Sequence, residues 1–486
     1  MAITILTGIE DTLALILECG NDLARIEAKL LPALRKLCST TSADAESSRN
    51  APSSSRNQQP AASERALCAP IQGDVDPLSA LDPAVHSLGM LYLLSARATH
   101  DAASPEKATI LLPHISAFVQ RFDPQQVRLA GDKVAQLAET FTKMGDSITN
   151  PESALQLLQA LATRFWTRSE SLTALHPILA YQYLKTSRYA EAATMLLDLP
   201  LIDADTSITP LTHSDVLQYF YYAALIYIKL ERLHDAIDAL ETCVSSPAVA
   251  VSAIHMDAYK KLVLVQLLAD GKTSPVPKYT PQPVTRTYRT LAQPYLAFTA
   301  AYERYDAKAA PDLHQIVDEK KEAFEKDRNL GLVRRCLALH RQRRIQRLAD
   351  VYSALSLGDI AVMLELGGAD AVQTVHADVV DIVRKGWVHA DLVPASSAAS
   401  AGSQVGADWV VRFDAFGGNA YTSAASISLL ESKLQTAKQW HDLLQQRDRQ
   451  LEKSHTYLTR GLQIREARAA GGDAYSGADE FDDTDY

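Results

Sequence analysis

The chain has 486 residues, 47% hydrophobic and 22% charged, which is enough for roughly three domain-sized units with real cores and too apolar overall for a disordered polymer. A formal net charge of −10 argues against a protein whose main work is neutralising phosphates, since nucleic-acid affinity rests largely on Lys and Arg. Five cysteines, Cys19, Cys38, Cys68, Cys243 and Cys336, include no C-x-x-C pair; that sets aside a zinc ribbon or a disulfide framework and points to a reducing compartment.

The opening stretch MAITILTGIEDTLALILECG lacks a basic n-region and carries Glu10 and Asp11 among its apolar residues, so no secretory leader is expected. Leu13, Ile16, Leu17, Leu23, Ile26, Leu30, Leu34 and Leu37 recur at helical spacing and predict one or two amphipathic helices over residues 1–38. Residues 39–70 are Ser, Ala, Asn, Gln and Pro with almost no large apolar side chain. Such a segment cannot bury enough surface to offset its ordering entropy, and it reads as a disordered insertion.

From Leu81 to about Leu339 the period is helical nearly throughout, with Pro and Gly mostly in the connections and no run of alternating β-branched residues. The longest wholly apolar run, Tyr219 to Ile228, is far short of the roughly 20 residues a bilayer span requires. Laying His176–Pro200 over Phe220–Val244, an offset of 220 − 176 = 44, brings Ala180 onto Ala224, Tyr183 onto Tyr227, Ala192 onto Ala236 and Leu196 onto Leu240. Small residues at the alanine positions let antiparallel helices approach closely while Tyr and Leu fill the space beside them, the logic of a tetratricopeptide-like hairpin. The region therefore divides into helical repeats at 71–205 and a second helical part at 206–348.

Near Ala349 the character changes. Ser356-Leu-Gly-Asp359 fits a capping box ahead of Ile360, Ala361, Met363, Leu364 and Leu366. A second helix is predicted from about Ala369 to Lys385, with Val372, Val375, Val379 and Ile382 on one face and Gly386 as its stop. Val388, Ala390 and Leu392 then alternate with His389 and Asp391, a loose SSAASAGSQVGA stretch follows, and Trp409-Val-Val-Arg-Phe413 returns as a second strand. Helix, turn, helix and hairpin over 349–415 describe a winged helix.

Over 416–468 a long helix is expected. Ile427, Leu430, Leu434, Ala437, Leu444, Leu451, Leu458 and Leu462 form a stripe stepping by three and four, interrupted at His441, Asp448 and His455, which reads as a coiled-coil or bundle seam. Such a stripe wants a partner, because it would leave much apolar area in water. Residues 469–486 read as a disordered acidic tail carrying Asp473, Asp479, Glu480, Asp482, Asp483 and Asp485.

No phosphate loop, dinucleotide turn, nucleophile elbow or zinc-hydrolase signature occurs, and the closest histidines, His376 and His389, are 389 − 376 = 13 residues apart. No catalytic, cofactor-binding or metal-ligating residue is assigned. Cys336 has Arg334, Arg335 and His340 near it, which would favour a thiolate, yet its apolar neighbours Leu332, Val333 and Leu337 make a small buried hydrophobe the better reading. Arg334, Arg335, Arg341, Arg343, Arg344 and Arg347 form one basic cluster, as a nucleic-acid-binding winged helix would use. Against that reading stand the acidic balance and the second helix of the motif, where Asp370, Asp378 and Asp381 outnumber Arg384 and Lys385.

A helical-repeat array joined to a winged helix is the layout of the PCI domain. Within that family, DPAVHSLGMLYLL (Asp82 to Leu94), SPAVAVSAIHMDAYKKLVLVQLLADGK (Ser246 to Lys272), PKYT (Pro277 to Thr280) and DRNLGLVRRCL (Asp327 to Leu337) resemble the subunit-three sequences of the COP-nine signalosome. The insertion at 39–70 and the wing loop at 396–407 depart from the family pattern. The resemblance implies a mostly α, non-catalytic scaffold subunit of a complex that removes a ubiquitin-like modifier from cullins and so regulates cullin-RING ubiquitin ligases. It implies other PCI subunits as direct partners, the ligases as indirect ones, a catalytic zinc in a different subunit, and residence in cytoplasm and nucleus, without a cofactor or a membrane. On this reading Val410, Val411, Arg412 and Phe413 form an open edge strand that pairs with a neighbouring winged helix. PCI subunits of the proteasome lid and of initiation factor three share the architecture and stand as alternatives.

Overall fold

The structure, a computed structural model, describes residues 9–38, 67–68, 76–101, 104–148, 150–166, 171–198, 201, 203–204, 206, 208–248, 250–304, 309–366, 370–394, 409–413 and 424–469. The expected disordered insertion falls almost wholly outside these residues, and the wing loop at 396–407 and nearly all of the acidic tail fall outside them as well. The chain divides into two compact units, Met1–Arg344 and Ile345–Tyr486.

In the first unit the N-terminal apolar stripe folds as predicted into α1 (Ile9–Cys19) and α2, which runs through Leu23–Arg25, a π-helical turn Ile26–Leu30, and Leu31–Cys38. Pro32 has no N–H to return to the preceding turn, and the chain widens directly before it, Leu31 N–H reaching the carbonyl of Ile26. Helices α3 (Ser87–Asp101), α4 (Pro105–Arg121), α5 (Gly131–Ser147) and α6 (Pro151–Phe165) follow. α3 is buried at every position from Leu88 to Leu94, and at Gly89 a Cβ would lie 2.6 Å from the Ile16 side chain, so glycine leaves the room that α1 occupies.

The predicted repeat is present. α7 (Leu175–Thr186) pairs with α8 (Tyr189–Ala192 continued by a π-helical Ala193–Leu197), and α9 (His213–Lys229) pairs with α10 (Leu233–Ser245). Ala180, Ala224, Ala192 and Ala236 are all fully buried at the close approaches. The turns repeat too. Ser187 (φ 58) and Glu231 (φ 62) are the left-handed residues that end α7 and α9, separated by 231 − 187 = 44 positions. The next residue closes each turn on a tyrosine, Arg188 N–H to the Tyr183 carbonyl and Arg232 N–H to the Tyr227 carbonyl. Each arginine then holds an acid one turn on, Glu191 at 3.1 Å and Asp235 at 2.6 Å. The helical period predicts no strand here; a two-residue parallel pair, β1 (Ser171–Leu172) with β2 (Asp203–Ala204), is too short to leave a periodic trace.

α11 (Ala253–Asp270), α12 (Gln282–Leu291), α13 (Gln293–Tyr302), α14 (Ala309–Glu319), α15 (Lys321–Lys326) and α16 (Leu330–Val351) complete the helical array. One polar knot ties three of these segments: Lys260 Nζ and Tyr295 OH both reach Asp327 Oδ2 at 2.8 Å, and Asn329 Nδ2 donates to Tyr295 OH at 2.9 Å. The unit boundary falls inside α16, so the expected start of the winged helix at 349 lies 349 − 345 = 4 residues past the first residue of the second unit, Ile345.

The second unit has a core of Ile345, Leu357, Ile360, Val375, Val379, Ile382, Val411 and Phe413. α17 (Leu357–Met363) is capped as predicted, Ser356 Oγ accepting from Asp359 N–H at 3.0 Å. α18 (Ala371–Arg384) ends at Gly386 (φ 69), where Trp387 N–H reaches back to the Ile382 carbonyl. β3 (Ala354–Ser356), β4 (Ala390–Pro394) and β5 (Trp409–Phe413) form one antiparallel sheet in the order β3-β5-β4. The first of these strands went unseen in the sequence because its last residue also caps α17. The long C-terminal helix expected over 416–468 is two helices, α19 (Ala424–Glu452) and α20 (His455–Ala469). Ser454 makes the break, its Oγ accepting from Tyr457 N–H as an N-cap.

Candidate interaction surfaces

The expected open edge at Val410–Phe413 is corrected by the sheet. β5 is its central strand, Leu355 opposing Val411 on one side and Leu392 opposing Val411 on the other. Both rows of backbone groups are therefore spent. Val411 and Phe413 point into the core and Arg412 outward, as alternation requires, with Val410 half-buried. A sequence that shows only a hairpin cannot show which of its strands a third one joins. The free edges belong to β3, three residues long, and to β4, which carries exposed Asp391 and ends on Pro394.

The C-terminal stripe, expected on one helix, falls on two, Ile427 to Leu451 on α19 and Leu458 and Leu462 on α20, and its side chains are exposed. Ile427, Leu430, Leu434, Leu444, Leu451, Leu458 and Leu462 are between 45% and 69% exposed, and Ala437 is exposed as well. Trp440 and Tyr457 are exposed beside them. The stepping rule missed these two rings, though two aromatics among so many charged residues were signal enough.

The groups that raised a chemical question resolve into structural roles. Cys336 is fully buried and donates to the Leu264 carbonyl; burial pushes its thiol up to about 12, far from a thiolate. The arginine cluster is distributed around α16 instead of forming a stripe. Arg343 is buried and its guanidinium caps the last turn of α11 through the Leu268 and Ala269 carbonyls, while Arg335 pairs with Glu231 at 2.9 Å. On α18, Asp378 is buried and Asp370 and Asp381 are exposed. No group of three or more His, Cys, Asp or Glu able to hold a metal is present among the described residues. No helix among them is long and apolar enough to cross a membrane.

Sequence reasoning missed one open groove of about 530 Å³, lined by residues that include Leu217, Phe220, Thr242, Pro247, Tyr279 and Pro281. Tyr279 is the most exposed aromatic among the described residues of the helical unit, at 76%. The signal that could have found it was the resemblance itself: the string beginning at Ser246 and the string PKYT supply opposite parts of one lining.

A tetratricopeptide-like array followed by a small unit of two helices and a three-stranded sheet defines a helical-repeat protein. Residues 63–284 match the family described as "COP9 signalosome complex subunit 3, N-terminal helical repeats". A COP9 signalosome complex subunit 3 from Arabidopsis thaliana is 32% identical over 314 residues, covering 64% of this chain and 70% of that protein. The protein of the same name from Dictyostelium discoideum is 29% identical over 305 residues, covering 61% and 70% respectively. The chain belongs to the COP9 signalosome subunit 3 family.

Proposed function

We propose that the chain acts as a non-catalytic scaffold subunit of the signalosome, supporting cullin deneddylation by an isopeptidase that resides in another subunit. The observation that carries this reading is the uncovered seam from Ile427 to Leu462, about seven large apolar side chains in water on helices with no apolar partner of their own among the described residues. An apolar stripe of that length is what a shared helical bundle would bury. Other PCI subunits are the proposed direct partners, through these helices and the free edges of the winged-helix sheet at β3 or β4. Cullin-RING ligases are indirect partners, and cytoplasm and nucleus are the proposed locations.

The nucleic-acid reading loses its motivation, because the arginines that suggested it are spread around α16 and the most buried of them caps a helix. Affinity purification of the tagged chain from its own cells, followed by mass spectrometry, tests the proposal. Recovery with the other signalosome subunits and with deneddylating activity is expected; recovery as a lone stable monomer, or with subunits of the proteasome lid or initiation factor three, would sink it.

A further inference from the structure

Ser246 is the C-cap of α10, with φ −54 and ψ 133, and opens a seven-residue connection, 246–252, to α11. Its Oγ lies 2.9 Å from Nε2 of His213, the first residue of α9. The His213 ring in turn stacks on His255, in the first turn of α11, at 5.8 Å. His255 is buried, the Ser252 N–H donates to its Nδ1, and its Nε2 has no hydrogen-bond partner among the described residues. One imidazole thus meets the Ser246 hydroxyl and a second stacks on the first, both at the N-terminal ends of helices of 17 and 18 residues. Each N-terminus carries about half a positive charge and favours an anion.

Two groups oppose them, the Asp215 carboxylate and the C-terminal end of α10 that Ser246 caps, and both already hold hydrogen bonds. Asp215 on α9 is committed to the Thr212 N–H and hydroxyl, and the Val244 carbonyl at the end of α10 accepts from Tyr288 OH. The surroundings of Ser246 therefore favour a negative charge that Ser246 itself does not carry.

The residue after it supplies the second half of the argument. Five Ser/Thr-Pro pairs occur in the chain, at Ser104, Thr209, Ser246, Ser274 and Thr280. Thr209 and Thr280 are buried. Of the three serines that are not, Ser246 is the one with an imidazole nitrogen on its hydroxyl among the described residues. We propose that Ser246 is a phosphoacceptor for a proline-directed protein kinase, and that His213 and His255 receive the phosphate it gains.

In that step Ser246 Oγ bonds to the γ-phosphorus of a nucleoside triphosphate. The bond from that phosphorus to its bridging oxygen breaks, the nucleoside diphosphate leaves with the electron pair, and the hydroxyl proton passes to the kinase's base. The new group brings close to two negative charges and three acceptor oxygens. The His213 ring then meets the phosphate where it now meets the hydroxyl, clamping the 246–252 connection to α9 at the rim of the groove that Pro247, Phe220 and Tyr279 line.

The test treats the full-length chain with a proline-directed kinase and magnesium-ATP, maps the product by mass spectrometry and records the histidine ring resonances by NMR before and after. Phosphate is expected on the Ser246 peptide, absent in Ser246→Ala, whose circular dichroism matches wild type. The His213 ring resonances are expected to move on phosphorylation, because the hydroxyl that ring now meets becomes a phosphate ester. His213→Gln should still be phosphorylated at Ser246 but remove much of the accompanying change at His255, which stacks on that ring. Ser104 and Ser274 serve as accessible internal controls. An unmodified Ser246 after exhaustive treatment overturns the proposal, and so does a phosphorylated Ser246 that leaves the ring resonances of both histidines where they were.

Discussion

Leucine does opposite things in the helical-repeat unit and in the C-terminal helices. In the first, Leu217, Leu240, Leu262 and Leu264 sit at the centre of a closed core, none more than 2% exposed. In the second, Leu434 stands 69% exposed at a position with the same helical spacing. Periodicity is thus a statement about which residues share a face, and only the count of neighbouring elements decides whether that face is covered. The repeat unit supplies its own neighbours by folding back every 40 or so residues. α19 and α20 have 29 and 15 residues and no antiparallel return among the described residues.

The sharpest way to break this contrast is to remove a large side chain from the closed core. Phe298 is fully buried, with ring centroids 6.0 Å from Tyr302 and 6.3 Å from Phe324. Phe298→Ala should destabilise the unit by about 3–5 kcal/mol, the usual cost of a large-to-small change with a residual cavity. Urea denaturation followed by circular dichroism measures it, and a loss below about 1 kcal/mol would mean that the core is looser than its burial suggests.

Acid should act next, through histidines that the core holds neutral. Burial, assisted by Arg344, brings His340 down to about 4, and burial alone brings His176 to about 4. In the unfolded chain both titrate near 6.5. Between those values the unfolded state binds protons that the native state refuses, so stability is complete above about pH 6.5 and falls as pH drops toward 4, levelling off below. The loss is roughly 1.4 kcal/mol per pH unit for each histidine. Denaturation midpoints at pH 7, 6, 5 and 4.5 give the slope. His340→Gln should reduce it by about one proton; an unchanged slope would assign the acid sensitivity elsewhere.

Much of this contrast was readable before any coordinates. The offset of 44 located two helical hairpins because buried alanines at Ala180, Ala192, Ala224 and Ala236 are forced by the packing distance of the helices. The Ser356 cap and the Gly386 stop were readable because each is a local backbone event with its own residue chemistry. Strand order was not. The hairpin β4-β5 is local, whereas the β3 pairing joins Leu355 to Val411 across more than 50 positions, and no short-range pattern encodes which side of β5 it takes. The Ser454 break was hidden for a related reason: a serine in a helix is ordinary until its side chain takes a backbone N–H. The groove beside Ser246 needed three segments brought together, and composition along one segment cannot announce that.

Helix caps should behave alike in the repeat unit and in the small unit that precedes α19, since a cap is a local backbone event that packing leaves untouched. Ser252 caps α11 and Ser356 caps α17, each accepting the N–H three residues on. Ser252→Ala and Ser356→Ala should each cost about 1 kcal/mol. Thermal melts of both variants check this; a cap that costs nothing in one region would mark that helix as already frayed.

The smallest effect on the chain itself is expected where the residues look most hydrophobic. Leu434→Glu, Leu444→Glu and Leu451→Glu together should change the stability of the isolated chain by no more than about 0.5 kcal/mol per site, because each side chain is already at least half exposed and has no covering neighbour to lose. The same three changes should abolish co-purification with other subunits, since three carboxylates would have to enter a shared apolar seam without partners. Leu264→Glu makes the converse control: it should unfold the repeat unit outright, because Leu264 has no exposure at all. If the triple variant instead lost helical content on its own, the seam would already be covered within the chain, and the distinction between a closed core and a face awaiting a partner would collapse.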